Sequence, residues 1–367
     1  MDKSPNIIIA GGGTGGHLFP AIAIGEALHA RLPQAKIHYL GSIFGIEADV
    51  LPVKGLPHSL LPIRGFQRGI SLKAIFRNLL LPFRIMKSMK QTRKIFNEFS
   101  PNLVIGTGGY ASAIPLKIAN KSNIPTIIQE QNSFPGITTR MFHEKAQCTF
   151  IAFPEAKQFL QTDRSIVTGN PTRKGIQNGD RNQAAQHFKL DPKKKTVFLF
   201  GGSQGSLALN EIMKDAFQSL VKSDIQVIWQ TGPWEYKKLK KHKSDSVRVY
   251  SFINHMEEAY AISDIVISRA GAITLSEITV CGKPSIIVPF PQAAADHQTK
   301  NAEALSKADA AIMISQKDLN SNNLVKTISE LLQDKKRLQS MSEKSKAIGK
   351  PEATEVIVEN ILKVIQA

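Results

Sequence analysis

Ile265-Val-Ile-Ser-Arg-Ala-Gly-Ala-Ile-Thr-Leu-Ser-Glu-Ile278 is the stretch on which the reading of this chain turns. The β-branched run Ile265 to Ile267 predicts a buried parallel strand. Ser268-Arg269-Ala270-Gly271 then supplies small residues around which the backbone can turn sharply. From Thr274 to Val280 the spacing is helical, with Ala272, Leu275, Ile278 and Thr279 on one face and Ser276 and Glu277 off it. A strand, a small-residue turn and a helix N-terminus make an anion site, because the first helical N–H groups have no intrahelical partner. Glu277 lies one turn inside, too far along to cap the helix. Its carboxylate could accept two hydrogen bonds from a ribose diol while a diphosphate occupies the turn. The plainer alternative is a surface glutamate on an ordinary β-α unit.

Outward from that stretch, Gly282-Lys283-Pro284 ends the helix and Ser285 to Val288 reads as another strand. Pro289-Phe290-Pro291 stiffens the exit, and Asp296-His297-Gln298 precedes a helical run from Asn301 to Leu305. Comparable turns follow other apolar runs. Leu103 to Ile105 leads into Gly106-Thr-Gly-Gly-Tyr-Ala-Ser112, and Ile124 to Ile128 leads into Gln129-Glu-Gln-Asn132. Val197 to Phe200 leads into Gly201-Gly-Ser-Gln-Gly-Ser206. In an open parallel sheet all such turns lie on the carboxyl edge of the strands, where ligands bind.

The chain opens in the same way. Strand Ile7 to Ala10 runs into Gly11-Gly-Gly-Thr-Gly-Gly-His17, and a helical pattern follows from Pro20 to Leu32. Gly11, Gly13 and Gly16 satisfy the dinucleotide fingerprint G-x-G-x-x-G. The next strand, Lys36 to Leu40, ends in Gly41-Ser42 and not in the acid that would hold an NAD ribose. The loop is therefore read as a backbone approach to some other phosphate or sugar, or as close strand–helix packing. His17 closes the loop, and an unperturbed imidazole, titrating near pH ~6.5, can take a hydroxyl proton at neutral pH. Glu130, beside another strand end, is the rival base.

A chain of 367 residues favours two domains. The boundaries are expected at residues 1–168 plus 347–367 and 169–346, because Thr168-Gly169-Asn170-Pro171 breaks periodicity and the last helical pattern, Ala353 to Ile365, follows Gly349-Lys350-Pro351. Lys174 to Lys195 is polar and reads as a connector. Only Cys148 and Cys281 are present, which implies no disulfide framework and favours a reducing compartment. No apolar run approaches the ~18 residues of a membrane span. The net charge of +17 calls for acidic partners.

Ser-Arg-Ala-Gly-Ala-Ile-Thr-Leu-Ser-Glu followed by Pro-Phe-Pro and Asp-His-Gln resembles the donor site of GT-B glycosyltransferases. More narrowly it resembles the bacterial family that adds N-acetylglucosamine to a lipid-linked muramyl-pentapeptide. The resemblance spans the chain and implies an α/β fold of two doubly wound Rossmann-like domains facing across a cleft. It also implies the site residues. Thr14, Gly15 and Gly16 would contact the donor near its sugar and diphosphate, and Asn132 would hold the sugar. Arg173, from Gly-Asn-Pro-Thr-Arg, and Ser203, from Gly-Gly-Ser-Gln-Gly, would serve the diphosphate. Ile253 would bind uracil by its backbone. Ala272, Ile273, Thr274, Leu275, Ser276 and Glu277 would wrap the nucleoside, and Gln298 would reach the N-acetylglucosamine. Gly108, Gly109 and Tyr110 would bind the acceptor, with His17 or Glu130 catalytic. Ile273 and Leu275 stand where the family pattern has Leu and Val, and Ala293-Ala294-Ala295 replaces a more polar run.

The chemistry can be argued separately. A departing nucleoside diphosphate needs its charge stabilised by a metal or by protein donors. The chain has no Asp-x-Asp pair for a metal, and helix N-termini with Arg173 and Ser203 can serve instead. Neither a metal nor a cofactor is expected. The reading is an inverting transferase with UDP-N-acetylglucosamine as donor and undecaprenyl-diphosphate-linked MurNAc-pentapeptide as acceptor, peripheral on the cytoplasmic face of a bacterial inner membrane. The alternatives are another GT-B transferase with a different acceptor, an NAD-dependent oxidoreductase, and a nucleic-acid binder. The last explains the charge but leaves every glycine turn idle, so no nucleic acid is expected as partner.

One segment bears on the membrane. Between Asp49 and Glu98 no acid occurs, while Lys54, Arg64, Arg68, Lys73, Arg77, Arg84, Lys87, Lys90, Arg93 and Lys94 do. Among them lie Ile70, Leu72, Ile75, Phe76, Leu79, Leu80, Leu81, Phe83, Ile85 and Met86, with Pro82 predicting two helical pieces and a bend. The reading is an apolar and basic patch for an anionic membrane surface. The alternative is a basic helix packed on the first domain.

Overall fold

In the computed structural model, which describes residues 4–66, 72–160 and 162–366, the apolar runs form two sheets whose strand pairings are all parallel. Contacts divide the chain into one unit of Met1–Pro171 with Glu352–Ala367, and a second of Thr172–Pro351. The first holds β1 (Asn6–Ala10), β2 (Lys36–Ser42), β3 (His58–Leu61), β4 (Leu103–Gly106), β5 (Thr126–Glu130), β6 (Cys148–Ile151) and β7 (Ser165–Val167). Their order is β3-β2-β1-β4-β5-β6-β7. The second holds β8 (Lys195–Phe200), β9 (Ile225–Gln230), β10 (Val247–Tyr250), β11 (Ile265–Ser268), β12 (Ser285–Ile287) and β13 (Ala311–Met313), in the order β10-β9-β8-β11-β12-β13. In each sheet the order reverses beside the first strand, between β1 and β4 and between β8 and β11. Ligands of open α/β sheets bind at that switch point.

Alternation along the strands sends side chains to both covered faces. Ile7 and Ile9 pack with Leu18, Ile24 and Leu28 of the Gly15–Arg31 helix and with Ile357 and Ile361 of the C-terminal helix. Ile8 and Ala10 face Ile114 and Ile118 of the Gly109–Lys121 helix instead. In the second unit Val197 and Leu199 pack on Leu209, Met213 and Ile328, while Phe198 and Phe200 meet Tyr260 edge-on.

Two expectations need correction, and one alternative is set aside. The first helix starts at Gly15, not Pro20, with Pro20 inside it and near its N-terminus, where its missing N–H costs little. The presumed connector contains the helix Arg181–Phe188, capped by Asp180. Its Ala184, Ala185 and Phe188 are buried, a narrow apolar face that the polar composition conceals. Glu277 is not a surface residue, for only 4% of it is exposed.

The basic segment forms two helices, Leu72–Leu79 and Leu81–Phe99, with Pro82 in the first turn of the second. Leu81 and Ile85 pack on the core, whereas Ile75, Phe76, Leu79, Phe83 and Met86 are exposed. Arg68 and Ile70 lie outside the described residues, as do the side chains of Leu72 and Lys73. Among the described residues no helix is long and apolar enough to cross a membrane.

Candidate active site

In the first unit the loop after β1 is tied to Glu47, a residue absent from the sequence reading. This buried carboxylate accepts the Gly13 N–H at 2.8 and 3.0 Å and the Ser42 N–H at 2.8 Å. A Cβ on Gly12, Gly41 or Gly45 would collide with it. The acid missing from the end of β2 thus arrives five residues later and turns back onto the loop. Its negative charge and its hold on Gly13 N–H work against a phosphate there. Thr14 stands exposed at the N-terminus of the first helix without a side-chain cap bond, and Gly15 and Gly16 form its first turn.

His17 follows in that turn, half-buried. Its Nδ1 lies 3.1 Å from Thr107 O and 2.8 Å from Gln131 Oε1. A carbonyl can only accept, so Nδ1 carries the proton. The Gln131 orientation agrees, because its Nε2 faces the acceptors Thr107 O at 2.8 Å and Gln129 O at 3.1 Å, with Gln129 Oε1 beside them. The Nε2 lone pair of His17 is left as the basic site. Gly108 and Gly109, at φ of 94° and 74°, give the imidazole room: a Cβ on Gly108 would come within 2.7 Å of its Nδ1. Tyr110 lies against Gly13 and Gly65, so the Gly108–Tyr110 turn, His17 and the first loop form one cluster.

Glu130 is occupied differently. Its buried carboxylate accepts from Asn132 N at 3.0 Å, Asn132 Nδ2 at 3.2 Å, Gly136 N at 2.9 Å and the Thr139 hydroxyl at 2.5 Å. With its lone pairs engaged by four donors it holds the segment from Asn132 to Thr139 in place, and Asn132 is fixed by the same carboxylate.

In the second unit, Glu277 and Arg173 come together although they are far apart in sequence. Arg173 Nε is 3.3 Å from Glu277 Oε1, and the Tyr260 hydroxyl donates to Oε2 at 3.2 Å. Burial pushes the Glu277 carboxyl above the ordinary range, opposed by the Arg173 charge and the Tyr260 hydrogen bond. The Ala272–Val280 helix begins at Gly271 with no side-chain cap, which leaves its first N–H groups for a ligand. Ile273 and Thr274 are half-buried at that end and Ser276 bonds back to Ala272 O at 3.0 Å. Leu275 is wholly buried, so it can offer a ligand only backbone.

The loop after β8 carries Ser203, exposed, and Ser206, the N-cap of the Leu207–Lys222 helix. Behind it stands Arg269, the second residue the sequence reading left without a role. Its guanidinium donates to Ser206 Oγ at 2.9 and 3.1 Å, to the carbonyls of Val288 at 3.2 Å and Pro289 at 3.1 Å, and to Gln316 Oε1 at 2.6 Å. Among the described residues it has no carboxylate partner, and desolvation pushes its pKa down to about 10, still charged at neutral pH. The carboxyl edge of this sheet therefore keeps a buried positive charge. Ile253 is buried with its N–H taken by Gln230 Oε1 at 2.8 Å, so only its carbonyl is left to meet a base. Gln298 Oε1 accepts from Ala270 N at 3.2 Å and Phe290 N at 3.0 Å, which turns its amide nitrogen outward as the available donor.

Glycines around residues 41 to 45 were the available signal for Glu47, since close approach needs their lack of side chain. Arg269 sits inside the quoted motif itself, at a strand end where an unpaired cation points to an anion.

The chain matches the model of the glycosyltransferase family 28 N-terminal domain over residues 7–151 and that of the C-terminal domain over residues 196–357. It is 40% identical over 364 residues to the UDP-N-acetylglucosamine–N-acetylmuramyl-(pentapeptide) pyrophosphoryl-undecaprenol N-acetylglucosamine transferase of Flavobacterium psychrophilum, covering 98% of each chain. To the transferase of the same name from Christiangramia forsetii it is 38% identical, covering 100% of this chain and 99% of the relative. The crystal structure of Acinetobacter baumannii MurG superposes with a TM-score of 0.77 at 26% identity, covering 98% of this chain and 99% of that one. Two doubly wound parallel sheets, a buried cation and helix N-terminus in the second unit, and full-length likeness to these relatives lead to one assignment: the chain belongs to glycosyltransferase family 28, among the N-acetylglucosamine transferases of the MurG type.

Proposed function

We propose that the chain transfers N-acetylglucosamine from UDP-N-acetylglucosamine to undecaprenyl-diphosphate-linked MurNAc-pentapeptide, with inversion, and that His17 is the base. The observation that carries the mechanism is the pair of acceptors on His17 Nδ1, Thr107 O and Gln131 Oε1, which holds the ring proton there and makes Nε2 the basic nitrogen. Nε2 takes the proton of the acceptor hydroxyl as its oxygen attacks the anomeric carbon, and the bond from that carbon to the UDP oxygen breaks on the opposite face. The proton ends on the imidazole and the electron pair on UDP. Glu130, its carboxylate engaged by four donors, is given a positioning role.

The second unit supplies what the leaving group needs. The first N–H groups of the Ala272–Val280 helix, Ser203 and the charges of Arg173 and Arg269 stabilise the diphosphate. Glu277 takes the ribose hydroxyls, the Ile253 carbonyl meets uracil, and Gln298 recognises the sugar. Gly108, Gly109 and Tyr110 receive the acceptor. His17→Ala should lower kcat by about 10²–10⁴-fold while UDP affinity stays within about twofold; near-wild-type kcat at saturation would place the base elsewhere.

The acceptor's tail belongs to a membrane, and Phe76, Leu79, Phe83 and Met86 face outward among Arg77, Lys87 and Lys90 to meet it on the cytoplasmic face. Lys54, which pairs with Glu26 at 3.1 Å, is not needed for that surface. Changing Phe76, Leu79 and Phe83 to Ser should abolish salt-sensitive binding to anionic vesicles and spare a water-soluble acceptor. Undiminished vesicle binding would make these helices a surface of some other use.

A further inference from the structure

The short helix Ile137–Phe142 is fastened to the acceptor side of the first unit at both of its inward threonines. Thr138 Oγ1 donates to Gly109 O at 3.0 Å, and Thr139 Oγ1 to the Glu130 carboxylate at 2.5 Å, while Gly136 N–H joins that carboxylate at 2.9 Å. Thr138, Thr139 and Phe142 are buried. The opposite face carries Ile137 and Met141, one turn apart and 61% and 65% exposed, with Arg140 between them. Arg140 lies 5.1 Å over the Phe134 ring, which meets Phe159 edge-on at 4.8 Å. Single exposed apolar residues are ordinary on a protein surface. A pair of them, beside a cation and two aromatic rings, on a helix tied by hydrogen bonds to the Gly109 turn, calls for an amphiphilic ligand.

We infer that Ile137 and Met141 form a subsite for the isoprene units next to the acceptor's diphosphate, with Arg140 on the diphosphate side. The inference rests on the proposed acceptor position at Gly108–Tyr110. If the diphosphate lies by that turn, the first isoprene units have left the bilayer and need an apolar cover that no lipid provides. Arg140 and the apolar pair match the two halves of a polyprenyl diphosphate: charge for the head, aliphatic surface for the tail. Met141 suits the irregular, branched chain because its thioether adapts its shape. This subsite differs from the Phe76–Phe83 surface, whose proposed occupant is the bilayer itself.

The test uses the full chain with soluble acceptors and no membrane: MurNAc-pentapeptide diphosphate esterified with a methyl group or with a two-isoprene chain. Wild type should favour the two-isoprene acceptor by about tenfold or more in kcat/KM, the scale of burying one such apolar group. Ile137→Ser with Met141→Ser should erase that preference and leave kcat/KM for the methyl acceptor and the affinity for UDP unchanged. Met141→Gln alone, which keeps the side chain's length, should erase part of it. A preference that survives the double change, or no preference in wild type, overturns the subsite. So does an equal loss on both acceptors, which would assign the helix to the fold or to the sugar and peptide. Wild-type protein that transfers to neither acceptor would refute the proposed reaction itself, and the subsite with it.

Discussion

The two units share a strand order around their first strands and place a glycine-rich loop at the same point, yet they put opposite charges behind it. Behind Gly11–Gly16 stands the Glu47 carboxylate, gripping Gly13 and Ser42 N–H. Behind Gly201–Ser206 stands the Arg269 guanidinium, holding Ser206 and three other acceptors, with no acid beside it among the described residues. A glycine loop by itself says only that backbone can come close. The side chain behind it decides whether an anion is welcome. The second unit presents a buried guanidinium behind its loop, and the first places an imidazole beside a loop already supplied with its own carboxylate.

The largest expected effect that could break this contrast is on stability. Glu47→Ala leaves the buried Ser42 N–H and the part-buried Gly13 N–H without this partner. It should cost about 2–4 kcal/mol in urea unfolding and disorder the His17 loop. UDP affinity in the protein that remains folded should not fall. A gain in UDP affinity would sharpen the contrast further; a large loss would mean that the first loop, not the second, carries the diphosphate.

A smaller effect is expected at Glu277, with a sign that separates binding from folding. Burial raises its pKa from 4.5, so the folded state favours the protonated form. Stability from this group is full below about 4.5. It is lost as pH rises through the raised folded value. Above that value Glu277→Gln, which cannot ionise, should be at least as stable as wild type in a thermal melt. UDP should nonetheless bind about tenfold more weakly, because the amide accepts ribose hydroxyls less well than a carboxylate. Destabilisation at pH 7 with unchanged UDP binding would assign Glu277 to the fold.

Much of this was legible in the residues. The runs at Ile7, Leu103, Val197 and Ile265 announce strands because both faces of a parallel sheet are covered, and the glycine turns mark the carboxyl edge. Short strands such as His58–Leu61 and Ser165–Val167 were not legible, since three or four residues carry no period. Nor was the Arg181–Phe188 helix, whose buried face is two alanines and a phenylalanine. In the candidate site, residues on motifs could be named from the sequence, and those that stand behind the loops could not. Glu47, Gln131, Gln230 and Arg269 reach the loops through side chains whose targets are set only by the three-dimensional path of the chain. The Ile253 N–H and the Glu130 carboxylate looked available for the same reason, and both are already engaged.

The central claim is that the positive charge behind the second loop holds the diphosphate. Calorimetric titration of UDP and of uridine, in parallel, into wild type and Arg269→Met measures that directly. The diphosphate's share is the ratio of the two affinities in each protein. The account predicts that uridine binds both proteins alike, while the advantage of UDP over uridine falls by about tenfold or more in Arg269→Met. An advantage that persists undiminished in folded Arg269→Met would contradict it.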